Sequence, residues 1–393
     1  MKMRIPITKP VLDESDYTCL RDPIESGWVV QGPHVKRFEE KFTAFTGASD
    51  AMACTSCTTG LHLALAALDL GPGDEVIVPS FTWVASANVV AHCGATPILC
   101  DIDPTTFNID PDDIEHRITE RTKGIIPVHL FGLPADMDRV LTIAKRHDLF
   151  VVEDAACGLG AKLNGQHVGT IGDFGAFSFH PRKAITTGEG GMVLAKNPDH
   201  YALVRTLRDH GASRSDLARH KGKAAFLLSQ FEHLGYNYRM TDIQGALGSN
   251  QMDKASDIIS GRIQVAQRYD EILKRLPWLK TPAVPENAVH SYQSYVCVFA
   301  PETPTLKNLE TLNEKRNHML MAAEERGVST RQGTHAIHGL GYYARTYGYE
   351  PHDLPQSWIA EHVTMTLPLY PQMTEAEQDY VVDVLEQTFN ELR

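Results

Sequence analysis

The 393 residues carry 37 Lys and Arg against 49 Asp and Glu, a formal net charge of −12, and 42% of them are hydrophobic. These values exclude a mainly disordered chain and argue against a general affinity for nucleic-acid phosphates. No apolar run is long enough to span a bilayer, no apolar stretch follows the basic N-terminus, and the seven scattered cysteines suit reduced thiols, so the expectation is a cytoplasmic protein with no membrane partner.

In chain order, Pro33 to Phe45 predicts a helix, with proline at its start and Gly47 beyond its end. A small polar turn, Thr55 to Gly60, opens a second helix from Leu61 to Leu68, stopped by Gly71-Pro72-Gly73. Glu75 to Pro79 predicts a strand and Ala85 to His92 a helix. Strands follow at Thr96 to Cys100, Gly124 to Val128 and Leu149 to Glu153, with a helix from Met137 to His147 between the last two. Strands separated by helices of this length predict parallel βαβ units in a doubly wound α/β sheet. Glycine-rich strands come next, Gly175 to His180 and Gly190 to Ala195. A long helical pattern covers 242–276 and ends at Pro277, the clearest boundary signal in the chain. A strand at Tyr295 to Phe299 and helices at Leu309 to Arg326 and Glu375 to Leu392 complete a smaller α+β part. The expected division is a large domain, residues 1–247, and a small C-terminal domain, residues 248–393, joined by the helix about 242–276.

Several motifs fail on inspection. Cys54-x-x-Cys57 lacks the rest of a redox or zinc pattern, Gly158-Leu159-Gly160 has Leu163 at the third glycine position, and His335-x-x-His338 has no glutamate between its histidines. No metal is expected. Other residues gather at strand ends. Thr58-Thr59-Gly60 opens a helix, where hydroxyls, N–H groups and the positive end of the helix dipole suit a phosphate, although an ordinary N-cap looks the same. Asp154 ends a strand at the carboxyl edge of the sheet, where ligands bind, while Glu153 points to the other face; capping a helix is the plainer role for Asp154. Trp83 follows a strand and offers an aromatic face, or simply packs in the core. Lys183 follows Ser178-Phe179-His180-Pro181-Arg182 and precedes a glycine-rich turn. Lodged among apolar and glycine residues, such a lysine can have a lowered pKa and attack a carbonyl; most lysines are only solvated charges.

Five stretches together resemble the DegT/DnrJ/EryC1/StrS family of sugar aminotransferases. They are Gly73 to Trp83, Glu153-Asp154-Ala155-Ala156, Ser178 to Lys183, Thr187 to Gly191 and Leu234 to Gln244, in order along the chain. The resemblance implies fold type I, a large doubly wound, mostly parallel mixed sheet plus a smaller C-terminal α+β domain. It also implies pyridoxal 5'-phosphate (PLP) as cofactor. Lys183 would hold PLP as an internal aldimine and move the proton, and Asp154 would pair with the pyridinium nitrogen. Trp83 would stack on the ring, and Thr58, Thr59 and Ser178 would bind the phosphate. Asn237 would reach that phosphate from the neighbouring subunit of a homodimer with shared active sites. Cys157, where Gln or His often follows Glu-Asp-Ala-Ala, would lie beside the phenolic oxygen. Trp28, His335 and His338 would face the substrate. The implied reaction is transfer of an amine from an amino-acid donor, glutamate, through PMP to a nucleotide-linked keto-sugar. A PLP-binding regulator without turnover is the alternative. A PMP-dependent sugar dehydratase is disfavoured, because that branch has histidine in place of the lysine.

Overall fold

The computed structural model describes residues 4–212 and 230–392. Seven strands form the main sheet: β1 (Ala51–Cys54), β2 (Glu75–Pro79), β3 (Thr96–Cys100), β4 (Thr122–Ile125), β5 (Phe150–Asp154), β6 (Phe174–Ser178) and β7 (Gly191–Ala195). Their order is β1-β7-β6-β5-β4-β2-β3. The pairs from β6 through to β3 are parallel, and β7 runs antiparallel to both β6 and β1. The sheet is therefore mostly parallel and mixed at one edge.

Both faces are covered, as the near-continuous apolar strands require. Side chains alternate along each strand. Ala51, Ala53, Ile77, Val151, Phe177 and Met192 enter one core with the helices Pro33–Thr46 and Met137–His147. Met52, Cys54, Val76, Val78, Val152, Ala176 and Val193 enter the other with the helices Cys57–Ala67 and Ala85–His92.

A third core surrounds a three-stranded antiparallel sheet made of Leu279–Lys280, Tyr295–Phe299 and Thr364–Leu367, with Tyr295–Phe299 in the middle. The helix Asp242–Ile272 connects the two regions: Met252, Ala255, Ile258 and Ile259 pack in the first core, and Val265, Ala266 and Tyr269 in the third. Ile5 is fully buried in the third core and bridges Val328, so the N-terminal segment joins that core rather than the large sheet. Among the described residues no helix is long and apolar enough to cross a membrane.

Three local expectations change. The second helix begins at Cys57, not Leu61, so Thr58, Thr59 and Gly60 form its first turn. The strand expected over 124–128 is Thr122–Ile125; beyond it Val128 makes only a bridge to Asp154. Edge strand β1 was not expected, because its run is only four residues long.

Candidate active site

Strand β5 delivers Asp154 to the carboxyl edge of the sheet, where it is 5% exposed. Its Oδ2 accepts a hydrogen bond from Ser86 Oγ at 2.7 Å. Its Oδ1 accepts from the Ala156 N–H at 3.1 Å and lies 3.8 Å from the Cys57 thiol. Among the described residues no Lys, Arg or His lies within ion-pair distance of it. A buried carboxylate is costly without a positive partner, so this one is arranged to receive a cation. Glu153, on the opposite face of the strand, is fully buried and consumed by structure. It accepts from His129 Nε2 and from the N–H groups of Gly169, Ile171 and Gly172.

Lys183 sits in the turn after β6. Its backbone N–H donates to the His180 carbonyl at 2.8 Å, and the Thr187 N–H donates back to Phe179 at 3.0 Å. Gly188, at φ +80°, allows the turn to reverse, and Gln244 of the long helix pins it by donating to the Glu189 carbonyl at 2.6 Å. The Lys183 Nζ donates to Cys157 Sγ at 3.1 Å. Burial pulls the ammonium down, but the Cys157 and Cys57 sulfurs and the Asp154 carboxylate outweigh it and raise its pKa above the usual lysine value. A lowered value was expected from the apolar and glycine neighbours alone; the carboxylate and sulfurs that reverse it come from other segments of the chain.

The helix Cys57–Ala67 starts with a capping box. Ser56 Oγ accepts from the Thr59 N–H at 3.1 Å, and Thr59 Oγ1 accepts from the Ser56 N–H at 3.0 Å. The Thr59 hydroxyl is thus occupied by the cap, whereas the Thr58 hydroxyl makes no hydrogen bond among the described residues. Strand β7 passes this helix so closely that a Cβ on Gly191 would stand 2.3 Å from the Ser56 carbonyl carbon. Gly191 pairs with Ser178, which brings Ser178 beside the helix start.

Trp83 is 63% exposed and does not pack into the core. Its carbonyl accepts from Ser86 Oγ at 3.3 Å, so one hydroxyl ties the tryptophan segment to Asp154. The indole is tilted against the His335 ring with centroids 6.1 Å apart. The short pairing of His335 and Ala336 with Phe81 and Thr82 sets that contact, and Glu361 Oε1 lies 3.5 Å from His335 Nδ1. His338 is a correction: it is fully buried, bonded to Ser80 Oγ at 2.7 Å and to the Pro351 carbonyl, and presents no surface to a substrate. Burial lowers its pKa. Trp28 folds over Gly32 near the start of the helix Pro33–Thr46. Asn237 is exposed, and its neighbours Tyr236 and Tyr238 stack on each other 5.0 Å apart beside His62.

Asp154, Lys183, Cys157 and Cys57 are therefore one cluster, with Trp83 and the helix start attached to it. Sequence reasoning missed Ser86, Cys57 and Glu361. For Ser86 there was a signal: it lies three residues after Trp83, in the first turn of a helix that begins at the sheet edge.

The chain matches the DegT/DnrJ/EryC1/StrS aminotransferase family over residues 10–386. It is 38% identical to GDP-perosamine synthase of Caulobacter vibrioides, over 98% of both chains. It is 35% identical to the spore coat polysaccharide biosynthesis protein SpsC of Bacillus subtilis, over 97% of this chain and 96% of that one. The PMP-form structure of a putative sugar aminotransferase, Spr1654 of Streptococcus pneumoniae, superposes with a TM-score of 0.91 at 30% identity, covering 99% of this chain and all of that one; its PLP form gives 0.90.

Proposed function

Because this chain belongs to the DegT/DnrJ/EryC1/StrS aminotransferase family, whose members are PLP-dependent transaminases, we propose that it transfers the amino group of glutamate to a nucleotide-linked keto-sugar. PLP is its cofactor. The observation that carries the reading is Asp154, a buried carboxylate with three donors and, among the described residues, no cation within ion-pair distance, in one cluster with a lysine amine. A pyridine nitrogen that stays protonated supplies the missing positive charge, and the start of the helix Cys57–Ala67 suits a phosphate. The donor set therefore fits the cofactor.

Bound there, PLP supplies an electron sink for the charge that develops as the amine changes carriers. In this reading Asp154 keeps the ring nitrogen protonated. The Lys183 amine would hold the cofactor through its aldehyde group and, when free, would carry a proton at the reacting carbon. Trp83 covers one face of the ring and excludes water from it. Thr58, the N–H groups at the helix start and Ser178 hold the phosphate. Thr59 contributes through its backbone and the cap rather than through a free hydroxyl. Cys157 would stand beside the phenolic oxygen, and His335 and Trp28 would border the sugar. Asn237, turned outward between two stacked tyrosines, reaches the phosphate of a second copy in a cytoplasmic homodimer. Residues 1–247 act as the cofactor domain and 248–393 as the small domain, with Ile5 packed in the small domain's core and Met252 to Ile259 in the large one's.

The test is spectroscopic. The purified protein should show the visible band of lysine-bound cofactor, lose it on adding glutamate, and regain it when a keto-sugar acceptor is supplied. Borohydride should fix the cofactor on Lys183, and Lys183→Ala should show no such band. A band that ignores every amino donor would favour a regulatory protein. Equal turnover of free and nucleotide-linked keto-sugars would overturn the substrate assignment.

A further inference from the structure

Among the described residues, Cys157 is the one cysteine that accepts a hydrogen bond from a lysine amine, Lys183 Nζ to Sγ at 3.1 Å. Both residues are part-exposed at the site, so a small reagent can reach them. Cys54, Cys57, Cys100 and Cys297 are buried, and burial raises their thiol pKa values, to about 11 for Cys54 and well above the usual value for the others. Cys19 and Cys93 are raised as well, again chiefly by burial. A part-exposed thiol is open to a small oxidant such as peroxide, whereas the buried thiols are shielded from it. The same amine, 3.1 Å away, is a nucleophile within reach of the resulting sulfur.

We propose that Cys157 and Lys183 form an oxidative modification site, at which hydrogen peroxide joins Sγ to Nζ as a sulfenamide and withdraws the lysine from the cofactor. In the first step the thiolate attacks one peroxide oxygen and the O–O bond breaks. The departing hydroxide takes a proton from the Lys183 ammonium, giving water and a neutral amine beside a sulfenic acid. In the second step the amine lone pair attacks sulfur, the S–O bond breaks, and the hydroxyl leaves as water with a second amine proton. Sulfur is oxidised by two electrons, one peroxide is reduced to two waters, and the protein retains one N–H. A dithiol reverses the change: it attacks sulfur, returns the amine and thiol, and becomes a disulfide. Only protein whose amine is free is open to this chemistry, so a cofactor attached to Lys183 protects the site. That protection rests on the role proposed above for Lys183; the S–N bond itself does not.

The experiment treats cofactor-free and PLP-loaded full-length protein with peroxide and maps both by peptide mass. In the cofactor-free protein the Cys157 and Lys183 peptides should appear joined, two hydrogens lighter than their sum. Cofactor uptake should be lost in proportion to the joined fraction, and dithiothreitol should restore both. The PLP-loaded protein should stay unjoined. Cys157→Ser should not join, and Lys183→Ala should stop at a sulfenic acid that dimedone traps. The proposal is overturned if treated wild-type protein carries sulfinic acid at Cys157 with Lys183 free, a Cys157–Cys57 disulfide, or no change. If the peptides join but borohydride never fixes PLP on Lys183, the modification stands and the cofactor role falls.

Discussion

Ser86 is fully buried, and its hydroxyl is the shortest donor to Asp154, at 2.7 Å. A hydrogen bond to a charged group contributes roughly 1.5–3 kcal/mol. Ser86→Ala should therefore weaken the hold of Asp154 on the ring nitrogen and raise the PLP dissociation constant by about ten- to a hundredfold. Cofactor titration followed by absorbance reads this directly, and Ser86→Thr, which keeps the hydroxyl, should restore most of it. An unchanged dissociation constant in the alanine variant would remove Ser86 from the site. At this scale the sequence was legible where chemistry follows from a residue's place on one element. Asp154 and Lys183 stood out because each follows a parallel strand to its carboxyl end. Ser86 and Cys57 did not, since they meet Asp154 across 68 and 97 residues of chain. His335 and His338 read as a pair, yet a short helical turn sends one towards Trp83 and the other into the interior.

The helix Pro33–Thr46 has no cap of its own, because Gly32 precedes it and Pro33 begins it. Asp242, the first residue of the long helix, does the capping from 207 to 210 residues away. It accepts from the N–H groups of Gly32, His34 and Val35 at 2.9–3.2 Å. One carboxylate thus fixes the entry of one helix to the start of another, and it holds the Gly32 turn over which Trp28 lies. Losing three buried partners at once should cost more than an ordinary cap, roughly 2–4 kcal/mol. We expect Asp242→Ala to lower the first urea unfolding midpoint clearly more than Asp242→Asn, which keeps one accepting oxygen. The alanine variant should also raise KM for the sugar while leaving the cofactor spectrum intact. Equal midpoints for the two variants would show that the carboxylate is not the tie. Periodicity placed most helices and parallel strands correctly, because their apolar faces repeat within the element. It misplaced the start of the helix Cys57–Ala67, since glycine reads as a breaker. There Gly60 is required by packing: a Cβ would stand 2.9 Å from Val193 Cγ2 on the sheet. Edge strand β1 escaped notice because its partner, β7, lies about 140 residues downstream.

Across the whole molecule, an acidic chain with a net charge of −12 would be expected to lose stability in acid mainly through its carboxylates. A buried histidine adds a contribution that can be isolated. His167 is 3% exposed between Phe45 and Phe177. Its Nδ1–H donates to the Val168 carbonyl at 2.6 Å, so Nε2 must be the unprotonated nitrogen that accepts from the Gly160 N–H at 2.8 Å. Protonating Nε2 would break that bond and bury a charge, and burial lowers the pKa to about 4 from the usual 6.5. The folded state thus favours the neutral ring. Its contribution is complete above pH 6.5, shrinks as the unfolded chain takes up a proton below that value, and is lost by about pH 4. A depression of this size corresponds to on the order of 3 kcal/mol, a large share of a typical folding free energy. His167→Gln offers the Gly160 N–H an amide oxygen that does not titrate in this range, while every carboxylate stays in place. We therefore expect the variant to be less stable than wild type at pH 7.5, through the lost Val168 bond and ring packing, with the gap in melting temperature narrowing towards pH 4.5. Parallel melting curves across that range would mean that His167 protonates freely in the folded protein, contrary to its two hydrogen bonds.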